Sequence, residues 1–173
     1  MDWNDYDTFG LRQVTDGNLL RTFQGNANYA INVAFSPNWA ILAMGSDNSA
    51  IYLWQTTDGI LLHTLLGHTG AVLSVAFSPN GTMLASSSKD GAVRLWSIPD
   101  GQLLRVLYGH MDSIFSVAFS SDGTILARGG NYSAIRLWKV SDGLSLNMLE
   151  ALGGGSVGSV IFSAGGTLFF RLR

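Results

Sequence analysis

The stretch GHTGAVLSVAFSPNGTMLASSSKDGAVRLWSIPDGQLLRVL, residues 67–107, contains four short runs rich in apolar and β-branched residues. The runs cover 71–77, 82–88, 92–97 and 103–107, and turn signals separate them. The clearest turn is Pro79-Asn80-Gly81, because Pro fixes one φ and Asn-Gly accepts positive φ. Hairpin turns between short strands predict an antiparallel meander of four strands and no long helix.

The pattern of this stretch returns along the chain with a period of 42 residues. Trp54, Trp96 and Trp138 keep that spacing, and so do the Asp-Gly pairs that begin at 16, 58, 100 and 142. Val-Ala-Phe-Ser at 33–36 returns at 75–78 and 117–120, and Val-Ile-Phe-Ser follows one residue late at 160–163, a slip that the glycines at 153–155 can absorb. Such a period is typical of units that bury their apolar faces by stacking on one another.

The bulk composition limits the class of protein. The 173 residues fit one domain, and only 13% are charged while 47% are hydrophobic, which favours burial in repeated strands or in self-association. The net charge of −2 argues against a surface for nucleic acid. No apolar run has the length of a membrane span, the acidic start at 1–7 lacks the parts of a signal peptide, and there is no Cys. We therefore expect a cytoplasmic protein that acts neither on membranes nor on nucleic acid.

The motifs of residues 67–107 together resemble one family. Gly67-His68, the run VLSVAFSPNG, the run LASSSKDG and the run VRLW are similar to the WD-repeat (WD40) family, and the resemblance covers nearly the whole chain. It implies an all-β fold, a β-propeller of four-stranded antiparallel blades. It also implies a hydrogen-bonded tetrad in a blade, which one unit keeps in full as His68, Ser86, Asp90 and Trp96. Parts of the tetrad survive elsewhere as His110, Trp138 and Trp54, with Arg128 and Tyr132 in the middle places of the later unit and Asn26, Met44 and Asn48 in the earlier one.

The phase of the repeat at both ends bears on ring closure. Residues 9–14 and 19–23 correspond to third and fourth strands, whereas 157–162 and 167–172 correspond to first and second strands. The single domain, 1–173, then holds blades at about 24–65, 66–107 and 108–149, and a composite blade of 150–173 with 6–23. The ends can meet within one chain and close four blades, or between two chains and close eight. The dimer is favoured because the family's blades usually form rings of seven or eight; a fragment of a longer chain is the third possibility.

The composite blade is expected to have lost the tetrad. Its four places are assigned to Gly153, Arg171, Tyr6 and Arg12, and the arginines would need carboxylates from Asp5, Asp7 or Glu150 because an unpaired buried charge is costly. The residues expected at the closure are Arg12, Arg171, Phe169 and Phe170.

No residue pattern predicts catalysis, a cofactor or a metal. His68 and His110 occupy one repeat position in different units, which favours a structural role, and no Cys is present to join them in a metal site. No serine lies in a nucleophile elbow, and the glycines at 153–155 lack the lysine and the helix of a phosphate loop. Trp39 replaces the glycine of the first turn and is expected on a hairpin tip, either as an interface anchor or as cover for a neighbouring turn.

The resemblance implies a non-enzymatic scaffold that presents one propeller face to proteins or peptides. The residues that it places on the top face are Tyr29, Ile31, Asp47, Ala71, Leu73, Lys89, Ser113, Phe115 and Asn131. Two alternatives stay open: a self-assembling structural module that binds only its own copies, and a sugar-binding propeller. A homodimer is the favoured assembly.

Overall fold

The computed structural model describes residues 8–24, 30–109, 112–131, 134–150 and 154–173. These ranges contain sixteen β-strands and no helix. The strands are β1 (Thr8–Arg12), β2 (Leu19–Gln24), β3 (Ala30–Phe35), β4 (Ile41–Ser46), β5 (Ile51–Gln55), β6 (Leu61–Leu65), β7 (Val72–Phe77), β8 (Met83–Ser88), β9 (Ala92–Ser97), β10 (Leu103–Tyr108), β11 (Ile114–Phe119), β12 (Ile125–Gly130), β13 (Ala134–Lys139), β14 (Ser145–Glu150), β15 (Val157–Phe162) and β16 (Leu168–Leu172).

The repeat folds into four-stranded antiparallel meanders. β3–β6 form the first sheet, β7–β10 the second sheet and β11–β14 the third sheet, each with its strands in chain order. The first turn of the second and third sheets is closed by a glycine in the left-handed conformation, Gly81 with φ 71° and Gly123 with φ 72°, whereas the first sheet has Trp39 at this place. The all-β prediction and its four-stranded antiparallel sheets are thus confirmed.

The sheets stack through their first strands. β3, β7, β11 and β15 contact one another in succession, and apolar clusters fill the space between neighbouring sheets. Small residues set the spacing: a Cβ added to Gly45 would lie 2.7 Å from Cγ1 of Val72, and one added to Gly129 would lie 2.5 Å from Cγ1 of Val157. The fourth strands lie farthest from the core, and every residue of β14 is exposed.

The two ends of the described chain remain two-stranded. The N-terminal pair (β1 and β2) packs on the first sheet, where the rings of Phe23 and Trp54 have centroids 5.9 Å apart. The C-terminal pair (β15 and β16) packs on the third sheet through Val157 and Val160. β1 and β16 do not pair with each other. The described strands therefore form no closed ring.

The C-terminal pair corrects one register assignment. The N–H of Ser163 donates to the carbonyl of Thr167, so this hairpin is one residue shorter than the one that Ser78 closes with Met83. The shortening cancels the earlier slip, and Val160 faces Phe170 just as Val75 faces Ser86. The place of the tetrad serine in this unit therefore belongs to Phe170, and the assignment of Arg171 to it was wrong.

Candidate functional site

The second sheet brings His68, Ser86, Asp90 and Trp96 together. The indole N–H of Trp96 donates to Oγ of Ser86 over 2.8 Å, and the same Oγ lies 2.8 Å from Nε2 of His68. Nδ1 of His68 lies 2.8 Å from Oδ2 of Asp90. A neutral ring with its proton on Nδ1 satisfies every one of these contacts, because Nε2 then accepts from the serine hydroxyl. These hydrogen bonds connect β8 and β9 with the segment that precedes β7 and with the turn between β8 and β9.

The electrostatics of the tetrad favour a neutral histidine beside an ionised aspartate. Burial lowers the pKa of His68, despite the opposing effect of Asp90. Burial raises the pKa of Asp90, but hydrogen bonds from the N–H groups of Thr69 and Ala92 and from His68 outweigh burial and lower the pKa to about 2. The tetrad is therefore held in one protonation state at neutral pH.

Arg94 is a fifth member that the sequence analysis did not identify. Its Nη1 lies 2.8 Å from Oδ2 of Asp90 and 2.6 Å from Nδ1 of His68, and only 8% of the residue is exposed. The signal was present in the sequence, because Arg136 repeats this arginine 42 residues later. Asp90 thus balances a buried cation as well as orienting the imidazole.

In the described part of the third sheet, a buried cation without a counter-ion stands at the position of the tetrad serine. Arg128 occupies the place of Ser86, is 1% exposed, and has no hydrogen-bond partner for Nε or Nη2 among the described residues. Its guanidinium lies 5.9 Å from the ring centroid of Trp138. Burial, and next the charge of Arg136, lower the pKa of Arg128 to about 10. The tetrad residues His110 and Tyr132 of this unit lie outside the described residues.

The first sheet replaces the tetrad by aromatic packing. Met44 stands in the serine place with no exposed surface. Asn48, in the aspartate place, donates from Nδ2 to the hydroxyl of Tyr52 over 2.8 Å, and the rings of Tyr52 and Trp54 stack with centroids 5.6 Å apart. Asn26, assigned to the histidine place, lies outside the described residues. The side chains at the tetrad positions therefore differ between the sheets, although the backbone pattern is the same.

The residues expected on the top face lie at one end of the stacked first strands. The N–H of Lys89 donates to the carbonyl of Ala71 over 2.9 Å, and the N–H of Asn131 donates to that of Ser113 over 3.3 Å, so each pair meets at the end of its sheet. Exposure differs within the set: Ile31, Asp47 and Lys89 are exposed, whereas Ala71, Leu73, Ser113, Phe115 and Asn131 are half-buried. Tyr29 lies outside the described residues.

An aromatic contact adds a residue to this end of the third sheet. The guanidinium of Arg173 lies 5.0 Å from the ring centroid of Phe115, a cation–π distance. Asp112 accepts a hydrogen bond of 2.7 Å from Nδ2 of Asn131 in the same sheet. Neither Arg173 nor Asp112 was in the predicted set, because each lies outside the repeat positions from which the set was read.

The structure does not bring the four residues expected at the closure together within the chain. Arg12 is exposed on β1 and donates to the carbonyl of Gly17 over 3.0 Å. Arg171, Phe169 and Phe170 are exposed on β16, which lies in the other two-stranded sheet. Of the expected carboxylates, Glu150 is exposed at the end of β14, and Asp5 and Asp7 lie outside the described residues.

Trp39 stands on the opposite end from the top-face set. It adopts φ 61° in the turn where later units have glycine, and 70% of its surface is exposed. Its ring lies 5.4 Å from that of Phe35, centroid to centroid. A large side chain in a left-handed backbone conformation costs free energy that a glycine would not.

The described part of the chain gives no support for a metal site or a membrane-spanning helix. No group of three His, Cys, Asp or Glu side chains there could hold a metal ion. Nor do these residues include a helix of the length and apolarity that crossing a membrane requires.

Two stretches of the chain match a known family. Residues 59–97 and 101–139 match WD40, the WD domain or G-beta repeat. Each match contains the fourth strand of one sheet and the first three strands of the next, so a sequence repeat links two neighbouring sheets. The comparison with curated proteins gave no match. These matches support a place for the chain in the WD-repeat family, and WD repeats are generally non-enzymatic scaffolds for protein interactions.

Proposed function

We propose that this protein is a non-enzymatic scaffold that binds a protein or peptide segment across the ends of its first strands. The observation that carries the proposal is the convergence of chemically different side chains at that end. Hydrogen bonds between neighbouring first strands hold the sheets in one register, as when the N–H of Val75 donates to Oδ1 of Asn32 over 2.9 Å. Equivalent positions of three sheets therefore contribute to one surface.

The chemistry of this surface suits a peptide better than a sugar or a phosphate. Asp47 supplies a negative charge on the first sheet, Lys89 a positive charge on the second, and Phe115 an aromatic ring on the third. An extended peptide with an apolar residue between charged ones would find a complement for each. Several of these residues are half-buried, and a side chain that is partly fixed by packing loses less entropy on binding.

Selection of peptides on the immobilised protein tests this proposal. Peptides from a random library are measured by fluorescence anisotropy against the wild type, Lys89→Glu and Phe115→Ala. Each substitution should weaken binding at least about fivefold, the usual minimum for a residue that matters at an interface. The matched control is Leu104→Gln on β10, which is exposed on an outer strand and should change nothing. Peptides that bind both face variants as well as the wild type would show that the surface lies elsewhere.

The working assembly that we propose is a homodimer with eight blades, located in the cytoplasm. The support for the dimer is the pair of two-stranded sheets at the ends, since each has half of the strands of a complete blade and leaves one edge strand unpaired. A self-assembling module without other partners is the competing proposal, and loss of all peptide binding in a dimeric protein would favour it. Analytical ultracentrifugation and cell fractionation measure the assembly and the location.

A further inference from the structure

Neighbouring sheets meet along their first strands, and we call each such contact line a seam. Every seam contains the same polar contact. In each seam, a side-chain oxygen of one strand accepts a hydrogen bond from the N–H of a valine in the next strand. The pairs are Asn32 with Val75 at 2.9 Å, Ser74 with Val117 at 3.4 Å, and Ser116 with Val160 at 3.1 Å. A seam thus has an acceptor side and a donor side.

Each seam also repeats an apolar contact. The same valines pack against an alanine of the preceding sheet, as Val75 does in the cluster that includes Ala34. The contact buries them: Val75, Val117 and Val160 are 5%, 4% and 4% exposed. Burial of this valine therefore indicates that the donor side of its sheet is covered by the preceding sheet.

The turns supply a third contact. A Cβ added to Gly81 would lie 3.4 Å from Cδ of Pro37, and one added to Gly123 would lie 3.3 Å from Cδ of Pro79. In these two seams the first turn of a sheet therefore lies against the proline of the preceding turn; in the third seam Ser121 replaces that proline, and a Cβ added to Gly166 would meet nothing within 4 Å. These turns face away from the top-face set.

The first sheet presents an uncovered donor side. Val33 holds the place of Val75 but is 53% exposed. Among the described residues, its N–H has no side-chain acceptor like those of the three seams. Trp39 holds the place of Gly81 and is 70% exposed.

The C-terminal pair presents an uncovered acceptor side. Ser159 follows Asn32, Ser74 and Ser116 in the series, is exposed, and makes no side-chain hydrogen bond within the described ranges. Ile161, in the place of the seam alanines, is 61% exposed. Ala164, on this acceptor side, stands where the first two sheets have a turn proline.

We infer that the acceptor side of one chain docks on the donor side of a second copy, with Trp39 of that copy seated on the turn formed by residues 163–166. The inference rests on the proposed homodimer and specifies its interface. The sizes of the turn residues are complementary: the large Trp39 stands where other sheets have glycine, and it would meet Ala164, which is smaller than the proline of the first two sheets. The hydroxyl of Ser159 accepts from the N–H of Val33.

The register of the complete sheets fixes how the two edge strands pair. Ala43 faces Leu53, Ala85 faces Leu95 and Ala127 faces Leu137. Phe169 and Leu11 occupy the corresponding places, since Ile161 faces Phe169 as Ala76 faces Ala85. β16 of one chain therefore pairs with β1 of the other, and two such blades close the ring by two-fold symmetry.

The first experiment compares the dissociation constant of the dimer with that of Trp39→Gly, by sedimentation equilibrium. Glycine adopts φ 61° without strain, so the substitution leaves the fold of each chain unharmed. Since two anchors are lost per dimer, the dissociation constant should rise about a hundredfold or more. The matched control is Tyr108→Gly, which removes an aromatic residue that is 73% exposed on β10 and lies in no seam. An unchanged constant for Trp39→Gly overturns the inference.

Disulfide trapping identifies the occupant of the seam. The chain contains no Cys, so Leu11→Cys with Phe169→Cys leaves only the introduced pair to react. Cysteines directly opposite on paired strands lie close enough to bridge. Mild oxidation should give a covalent dimer of two 18.5 kDa chains. The control is Leu11→Cys with Phe170→Cys, one residue out of register, which should cross-link far less.

Each alternative result is distinct. An internal disulfide within a monomer would show that one chain closes on itself, and a ladder of higher species would show open-ended association; either overturns the inference. A wild-type monomer at all concentrations would remove both the proposed dimer and this seam. A stable dimer that neither cross-links nor responds to Trp39→Gly would keep the dimer and reject this seam, and the peptide-binding proposal would stand in every case.

Discussion

Replacing Arg128 with Met should stabilise the protein although the residue is fully buried. Two guanidinium nitrogens of Arg128 have no partner among the described residues, and a second arginine lies next to it, so its charge is desolvated without compensation from that part of the chain. Met44 fills the corresponding place of the first sheet with 0% exposure, which shows that the backbone accepts a methionine there. The substitution keeps most of the volume and removes the charge.

The magnitude follows from the pKa of the arginine. Burial and the neighbouring Arg136 lower that pKa from 12.5 to about 10, which corresponds to about 3 kcal/mol against the charged form. Removing the arginine also loses the cation–π contact with Trp138, worth about 0.5–1 kcal/mol. We therefore expect a gain of about 2 kcal/mol in the free energy of unfolding, or about 4–8 °C in Tm for a chain of this size.

Urea denaturation and thermal melting at one fixed protein concentration measure this gain, because dimer stability depends on concentration. The control is Arg94→Met in the second sheet, where the guanidinium lies 2.8 Å from a carboxylate oxygen of Asp90. That change should destabilise the protein, since it leaves a buried carboxylate without its cation. If Arg128→Met lowers the free energy of unfolding by 1 kcal/mol or more at an unchanged m-value, the reasoning about its charge is refuted.

The remaining predictions concern the tetrad and the seams. As the pH falls from about 4 towards 2, the wild type should lose about 2 kcal/mol, because the folded pKa of Asp90 is about 2 and the unfolded value is 3.8. The lowered pKa of His68 acts in the same direction below pH 6.5. Asp90→Asn should therefore flatten the acid limb in urea midpoints measured from pH 7 to 2, and parallel profiles of variant and wild type would contradict this. Gly129→Val should destabilise by about 1–3 kcal/mol through its clash with Val157, and an unchanged midpoint would show that β15 can shift away.

Much of the fold was accessible from the sequence because the repeat carries it. The predicted strand 92–97 agrees with β9, and the predicted strand 157–162 agrees with β15 at both ends. Other boundaries differ by one or two residues, as for β1, which ends at Arg12 instead of continuing to 14. Asp-Gly turns and the tryptophan spacing are local signals. Because they are repeated from unit to unit, the prediction of the fold still holds where one unit departs from the pattern.

The site was accessible only in part. The tetrad could be read from the sequence because its members keep fixed repeat positions. Arg94 was overlooked because alternation on a strand suggests a solvent-facing arginine, whereas the stacking of sheets buries both faces. The contact between Arg173 and Phe115 could not be predicted for a different reason. The two residues belong to neighbouring sheets, and no sequence spacing encodes the distance between them.

The register of the C-terminal pair separates the two kinds of information most clearly. The sequence by itself determined that the chain repeats one four-stranded unit, since turn residues and apolar periodicity act within a unit. It also showed that the repeat slips by one residue before Val160. Only the tertiary structure decided that the next hairpin shortens by one and restores the phase. The physical reason is that Leu168 must pack against the third sheet as its equivalents do against theirs, and packing between sheets, which turn signals do not encode, selects that register.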